Sequence, residues 1–189
     1  MDQSDRSRGR PRDPAIDDAA LQACRDLLVE VGWDKLSMVA IADRANVGRP
    51  ALYRRWPSKT HLVFEAVFSW QDDPTPVDDA PTSTEWIRRS FAYTQNLFAR
   101  PEVRAALPGL MASLRDHPDR QSALWKEFGL PGLSTLESLL RAEGSATPAI
   151  DAQATMVMVI GACLVTSLLG GSSPVLDRLP DLLHPNKNP

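Results

Sequence analysis

Cysteine is almost missing from this chain, and so is every familiar catalytic signature. The two cysteines, Cys24 and Cys163, fall in apolar, helix-patterned contexts, and two thiols so placed cannot make the multi-bridge framework of a small secreted domain. They are expected to be reduced, buried packing residues, and the protein to be cytoplasmic. Histidine is scarce as well. His61, His117 and His184 stand apart, with no cysteine or histidine at ligand spacing, so no metal site is expected. Phosphate-loop, dinucleotide and nucleophile-elbow patterns are absent. The run Leu-Gly-Gly-Ser-Ser at 169–173 is Gly-rich but lacks the lysine and the preceding strand that a phosphate loop needs. No catalytic residue and no cofactor are therefore expected, which sets an enzyme aside.

A surplus of either charge is missing too. Residues 1–60 hold 11 Lys and Arg against 9 Asp and Glu, and the remainder holds 10 against 15, giving a net charge of −3. This excludes a generally basic nucleic-acid coat; contact with DNA would have to run through a local patch. Residues 1–13 are polar, with Arg6, Arg8, Arg10 and Arg12 set among Ser, Gly and Pro, and no apolar signal region follows. They read as a disordered basic arm. Within it, Arg10 and Arg12 are the candidates to lie in a narrow A·T-rich minor groove.

What is present is a patterned stretch at 39–59, VAIADRANVGRPALYRRWPSK. Met38, Ile41, Ala42 and Ala45 recur at helical spacing, leaving Asp43 and Arg44 for water. Ser37 precedes them in a capping position. Asn46-Val47-Gly48 then breaks the helix, because Asn and Gly accept a left-handed backbone. Pro50 suits the first turn of a second helix, where its missing N–H costs nothing. In that helix Leu52 and Trp56 are four apart and pack inward. Arg49, Arg54, Arg55 and Lys59 remain as four cations with no acid among them, which is the footprint of a phosphate-binding surface. The plainer alternative is a solvated basic helix end.

These residues resemble the DNA-binding domain of the tetracycline-repressor (TetR) family. The elements that carry the resemblance are Ser37, Ile41-Ala42, Ala45, the turn Asn46-Val47-Gly48, Leu52-Tyr53, Trp56 and Lys59. Asn46 stands where the family has Gly, and Gly48 where it has a Ser or Thr cap. The resemblance implies an all-α protein: an N-terminal three-helix helix-turn-helix domain followed by a helical C-terminal ligand-binding and dimerisation domain. It assigns Arg49, Pro50, Ala51 and Arg54 to base edges, and Ser37, Tyr53, Arg55 and Lys59 to phosphates. It also implies a homodimer on a pseudo-palindromic double-stranded DNA operator, and a ligand-responsive repressor that an unknown small apolar effector releases.

Around that stretch, residues 16–31 form an amphipathic helix through Ile16, Ala20, Ala23, Cys24, Leu27, Leu28 and Val31, closed by Gly32 and covered by Trp33 and Leu36. A further helix spans 58–70, so the DNA-binding domain is expected over 14–70. The acidic, Pro-rich stretch 71–84 reads as a linker loop. The body, 85–189, is expected to be wholly helical, with helices over 84–99, 102–115 and 119–142. The second should be interrupted at Pro108-Gly109 and the third broken near 129–132. Trp86, Phe91, Phe98, Leu107, Met111, Leu114, Trp125 and Phe128 are the candidate lining of a ligand pocket, the alternative being that they are core.

Residues 150–169 are apolar nearly all round, with no charge between Asp151 and Asp177. The densest run, 156–165, is too short for a bilayer, since ten residues at about 1.5 Å each reach about half of a hydrocarbon core. Burial at a subunit interface is the expectation, with no membrane partner. The resemblance puts dimerisation on the last two helices, here 150–169 and 175–183. Met156, Val157, Ile160, Gly161, Leu164, Leu168, Leu179 and Leu182 are the candidate contacts. The rival reading is a small-molecule-binding helical protein without specific DNA binding.

Overall fold

The computed structural model describes residues 14–68, 77–115, 131–169 and 178. Arg10, Arg12, Trp125, Phe128, Leu179 and Leu182 lie outside the described residues, as does the side chain of Leu114. Among the described residues there are helices and turns but no strand. Contacts divide the chain into two units, Met1–Ala66 and Val67–Pro189.

The first unit holds α1 (Pro14–Lys35), α2 (Met38–Arg44), α3 (Arg49–Arg55) and most of α4 (Lys59–Phe68). Its core comes from α1, through Ala20, Ala23, Cys24, Leu27 and Leu28, together with Ile41, Leu52, Trp56, Leu62 and Val63, all buried. Val31, expected on the α1 stripe, is 40% exposed. The regular helix ends at the next residue, Gly32, whose φ of 75° and ψ of 174° turn the chain away. Only glycine takes that backbone without strain. Leu36 then covers the core in place of Val31.

The second unit is built from α5 (Ser83–Ala99), α6 (Pro101–Arg115), α7 (Pro131–Ala142) and α8 (Pro148–Leu169), with α8 packed on α5 and α7. The stretch 71–84 is not all linker. Val77 and Ala80, three apart on a turn, are buried, and α5 begins at Ser83. That start is fixed twice. The Thr82 hydroxyl accepts the Glu85 amide at 3.2 Å, and the Glu143 carboxylate, from just beyond α7, accepts the Ser83 amide at 2.8 Å and the Ser83 hydroxyl. A carboxylate at a helix N-terminus is favoured by the partial positive charge there.

The expected interruption of α6 does not occur. The helix runs through Pro108, which is exposed, so the one backbone bond a proline deletes is lost on the wet side. Its buried residues are Val103, Ala106, Leu107 and Leu110; Met111 is one step round and 39% exposed, on the surface rather than with the pocket candidates. Trp86, Phe91, Phe98 and Leu107 are all buried. Of the third body helix expected over 119–142, the described part is α7.

In α8 the buried seam is Ala152, Thr155, Val159 and Cys163, at spacings that keep one face inward. Ser167 Oγ donates to the Phe98 carbonyl at 3.0 Å, tying the helix to α5. The opposite side is apolar and open. Ile150 is 67% exposed, Val157 61%, Met158 44%, Val165 55% and Leu168 50%. Met156, Ile160, Gly161 and Leu164 are half-buried. By length and composition the helix is apolar enough over Pro148–Leu168 to cross a membrane, so the ten-residue run understates it.

Candidate nucleic-acid interface

The turn between α2 and α3 is closed by hydrogen bonds at both ends of α2. Ser37 caps α2, its hydroxyl accepting the Ala40 amide at 3.1 Å. At the other end the Val47 amide reaches back to the Ala42 carbonyl at 2.9 Å and the Asn46 amide to the Asp43 carbonyl at 3.3 Å. This is the paired closure of a helix that ends in a left-handed residue. That residue is Asn46, with φ 54°. Gly48, at φ −60° and ψ 131°, sits in an ordinary extended conformation as the cap of α3 and makes no side-chain cap bond. The left-handed position the turn requires is therefore met by Asn46 alone, and a Cβ added at Gly48 would meet nothing within 4 Å.

Seven residues make α3, and of these Leu52 alone is buried. Trp56, just beyond its end, is buried and donates its indole N–H to Glu65 on α4 at 2.6 Å. With Leu52 and Trp56 holding one face down, Arg49, Pro50, Tyr53 and Arg54 are exposed and Ala51 is half-buried. Tyr53 is 48% exposed, a large ring held out in water.

The four cations, uncompensated in the sequence window, have partners brought from elsewhere. Arg55 is the clearest departure: its side chain is 8% exposed, its Nε donates to Asp17 in the first turn of α1, and Asp17 is 14% exposed. A guanidinium engaged in a buried ion pair is not presented to a phosphate, so the assignment of Arg55 as a phosphate contact is corrected. Lys59 donates to the Trp33 carbonyl at 2.9 Å and lies 4.4 Å from the centre of the Trp33 ring. Burial lowers its pKa from the ordinary 10.5, opposed by Asp34. Arg49 is 3.6 Å from Asp43, with both side chains more than half exposed, a contact worth little in water. Arg54 is the one cation of the four without such a partner among the described residues.

The frame is held from α1. Arg44 makes two bonds to the Glu30 carboxylate, at 2.9 and 2.7 Å, which pulls the Glu30 pKa below its ordinary value. Arg25 donates to the Ala66 carbonyl at 3.1 Å, joining α1 to α4. Asp17, Glu30 and Trp33 were not foreseen as supports of the site. They lie 38, 14 and 26 residues from the groups they meet, and no local pattern marks such pairs.

A capped helix, a tight turn and a second short helix with an exposed cationic face define a helix-turn-helix DNA-binding protein. Residues 20–66 match the family described as bacterial regulatory proteins, tetR family. The chain is 27% identical over 176 residues to the DNA-binding transcriptional repressor TetR of Mycobacteroides abscessus, covering 90% of this chain and 88% of that protein. It is 37% identical over 78 residues to YdeS of Bacillus subtilis, an uncharacterized HTH-type transcriptional regulator, of whose length the match spans 39%. Two solved structures share the fold. A TetR transcriptional regulator from Rhodococcus sp. RHA1 aligns at a TM-score of 0.60 and 20% identity, over 92% of this chain and 98% of that one. NalD, the secondary repressor of the MexAB-OprM multidrug efflux pump in Pseudomonas aeruginosa, aligns at 0.58 and 21%, over 90% and 93%. The family and these relatives are transcription regulators, not enzymes.

Proposed function

We propose that the chain is a sequence-specific repressor that binds a pseudo-palindromic operator as a homodimer and is released by a small, largely apolar effector. The observation that carries the DNA half is the outward face of α3, where Arg49, Pro50, Tyr53 and Arg54 are exposed beside a hydrogen-bonded turn. In this reading Arg49, Pro50, Ala51 and Arg54 meet base edges. Ser37, Tyr53 and Lys59 hold phosphates, and Arg10 and Arg12 reach the minor groove. Phosphate contacts would supply most of the affinity and its salt dependence, and base contacts the choice of site. Two heads would sit one helical turn of DNA apart, about 34–36 Å, or a multiple of it.

The exposed apolar side of α8 supports a second copy of the chain as its cover, since Val157 and Leu168 would otherwise stay in water. Gly161 fits close approach: a Cβ added there meets nothing within 4 Å of its own protomer. For the effector the supporting observation is Trp86, whose indole N–H is buried with no hydrogen-bond partner among the described residues. Such a donor has already lost its water, at a cost of about 1–3 kcal/mol. A ligand that offers it an acceptor recovers that energy, and would act only by favouring a dimer whose heads no longer match the operator.

The test is a titration of the protein against DNA flanking its own gene, with a scrambled duplex as competitor, at two salt concentrations. Tight, competitor-resistant binding that weakens with salt is expected. Equal and weak binding to both duplexes would favour the rival, a helical small-molecule binder without specific DNA binding. Trp86→Phe, which keeps the ring and removes the N–H, should leave operator affinity unchanged. It should raise the effector concentration needed for release by about 5- to 10-fold, the worth of one hydrogen bond. An unaltered response would remove Trp86 from the ligand site.

A further inference from the structure

Within the first unit, one charged pair stands out by its burial and by what it joins. Arg55 ends α3, and Asp17 lies in the first turn of α1. Their side chains are 8% and 14% exposed, against 44% and 50% for Arg44 and Glu30, which join α1 to α2. Arg55 Nη1 also reaches the Ala51 carbonyl at 3.3 Å, so one guanidinium ties its own helix to α1. Exposed ion pairs hold orientation less firmly than buried ones, because water competes and the side chains swing. A planar guanidinium kept out of water holds its carboxylate in a fixed direction. Other restraints on α3 are the turn at its start, the exposed Arg49–Asp43 contact, the buried Leu52, and Trp56 just past its end, whose indole N–H bonds Glu65; of the side-chain contacts within the helix, the apolar one resists separation more than rotation.

We propose that Asp17 and Arg55 are a positioning pair: they set the rotation and tilt of α3 so that Arg49 and Arg54 meet base edges, while Arg55 itself contacts no phosphate. This rests on the DNA-reading assignment above and adds to it a specificity determinant outside the reading face. It separates two adjacent arginines that look alike in sequence. Arg54 faces outward and is spent on DNA, whereas Arg55 faces inward and is spent on geometry.

The test uses the full-length protein, Asp17→Leu combined with Arg55→Met, and Arg55→Lys as a single change. Replacing both members of a buried pair with apolar residues of similar size is commonly neutral for stability, so the double variant should melt near the wild type. Two quantities are then read: the slope of log K against log salt on a non-specific duplex, and the ratio of operator to non-specific affinity. The expected result for both variants is an unchanged slope with the ratio reduced about tenfold or more. A slope shallower by about 0.9 in the double variant would place Arg55 on a phosphate and overturn the proposal. An unchanged ratio in a folded variant would show the pair to be structural only. Should the double variant fail to fold, Arg55→Lys decides, because it keeps the charge and loses the planar fork. The slope is measured on non-specific DNA, so it still speaks to Arg55 if no operator is found. Failure of the DNA reading and failure of the pair are thus distinguishable.

Discussion

α3 and α8 solve the same packing problem and leave opposite surfaces behind. Each buries one narrow seam, Leu52 in α3 and Ala152, Thr155, Val159 and Cys163 in α8. What remains outside α3 is Arg49, Pro50, Tyr53 and Arg54, and what remains outside α8 is Ile150, Val157, Met158, Val165 and Leu168. A basic short helix left in water needs no partner for stability, and its cost falls only on the DNA it must find. An apolar helix face left in water is itself unfavourable, by about 25 cal/mol for each Å² uncovered. The first surface suits a partner that comes and goes with salt and sequence, the second a lasting one.

The sharpest way to break that comparison is to charge the α8 face. Val157→Asp with Leu168→Asp should leave the protomer folded, because both side chains are already at least half exposed. The double change should weaken dimerisation about 100-fold or more, as two core contacts of an interface are lost. Sedimentation reads this directly, and an unchanged dimer mass would mean that α8 is covered by something else. A smaller effect, of about 1–3 kcal/mol and confined to one operator position, is expected for Arg54→Ala. Tyr53→Phe should instead weaken operator and scrambled DNA alike. A uniform loss from Arg54→Ala would show that readout and positioning had been exchanged.

The smallest effect concerns what both units bury. Burial pushes the Cys24 thiol up to about 12 and the Cys163 thiol up to about 11, from an ordinary 9.0. A folded-state pKa above the unfolded one stabilises the fold fully below pH 9. That contribution is lost as pH rises through the folded values, so alkaline unfolding should grow between about pH 9 and 12. Replacing both cysteines with alanine should flatten the alkaline limb of a melting-temperature profile. At pH 8 a thiol reagent should label the protein only after unfolding.

Legibility differed between the two units for physical reasons. The turn could be read because it depends on neighbours in sequence: Ser37 reaches Ala40, and Asn46 is one of the few residues at ease at φ 54°. The polar supports of α3 could not, since Arg55 looks like one more free cation until the fold brings Asp17 to it. In the body, Pro108 looked like an interruption, and only its exposed place on α6 makes it tolerable. Met111 looked like a pocket residue on hydrophobicity alone. One step of the helix, about 100°, put it outside.

By itself, then, the chain determined its helices, their caps, the reading turn and the apolar excess of α8, because these follow from periodicity and local backbone preference. The tertiary structure alone decided which cations of the first unit are exposed and which are paired, which face of α8 is left uncovered and which indole is held without an acceptor among the described residues. Those outcomes depend on groups tens of residues apart being brought together and taken out of water, and pairing of that kind leaves no mark on the local sequence.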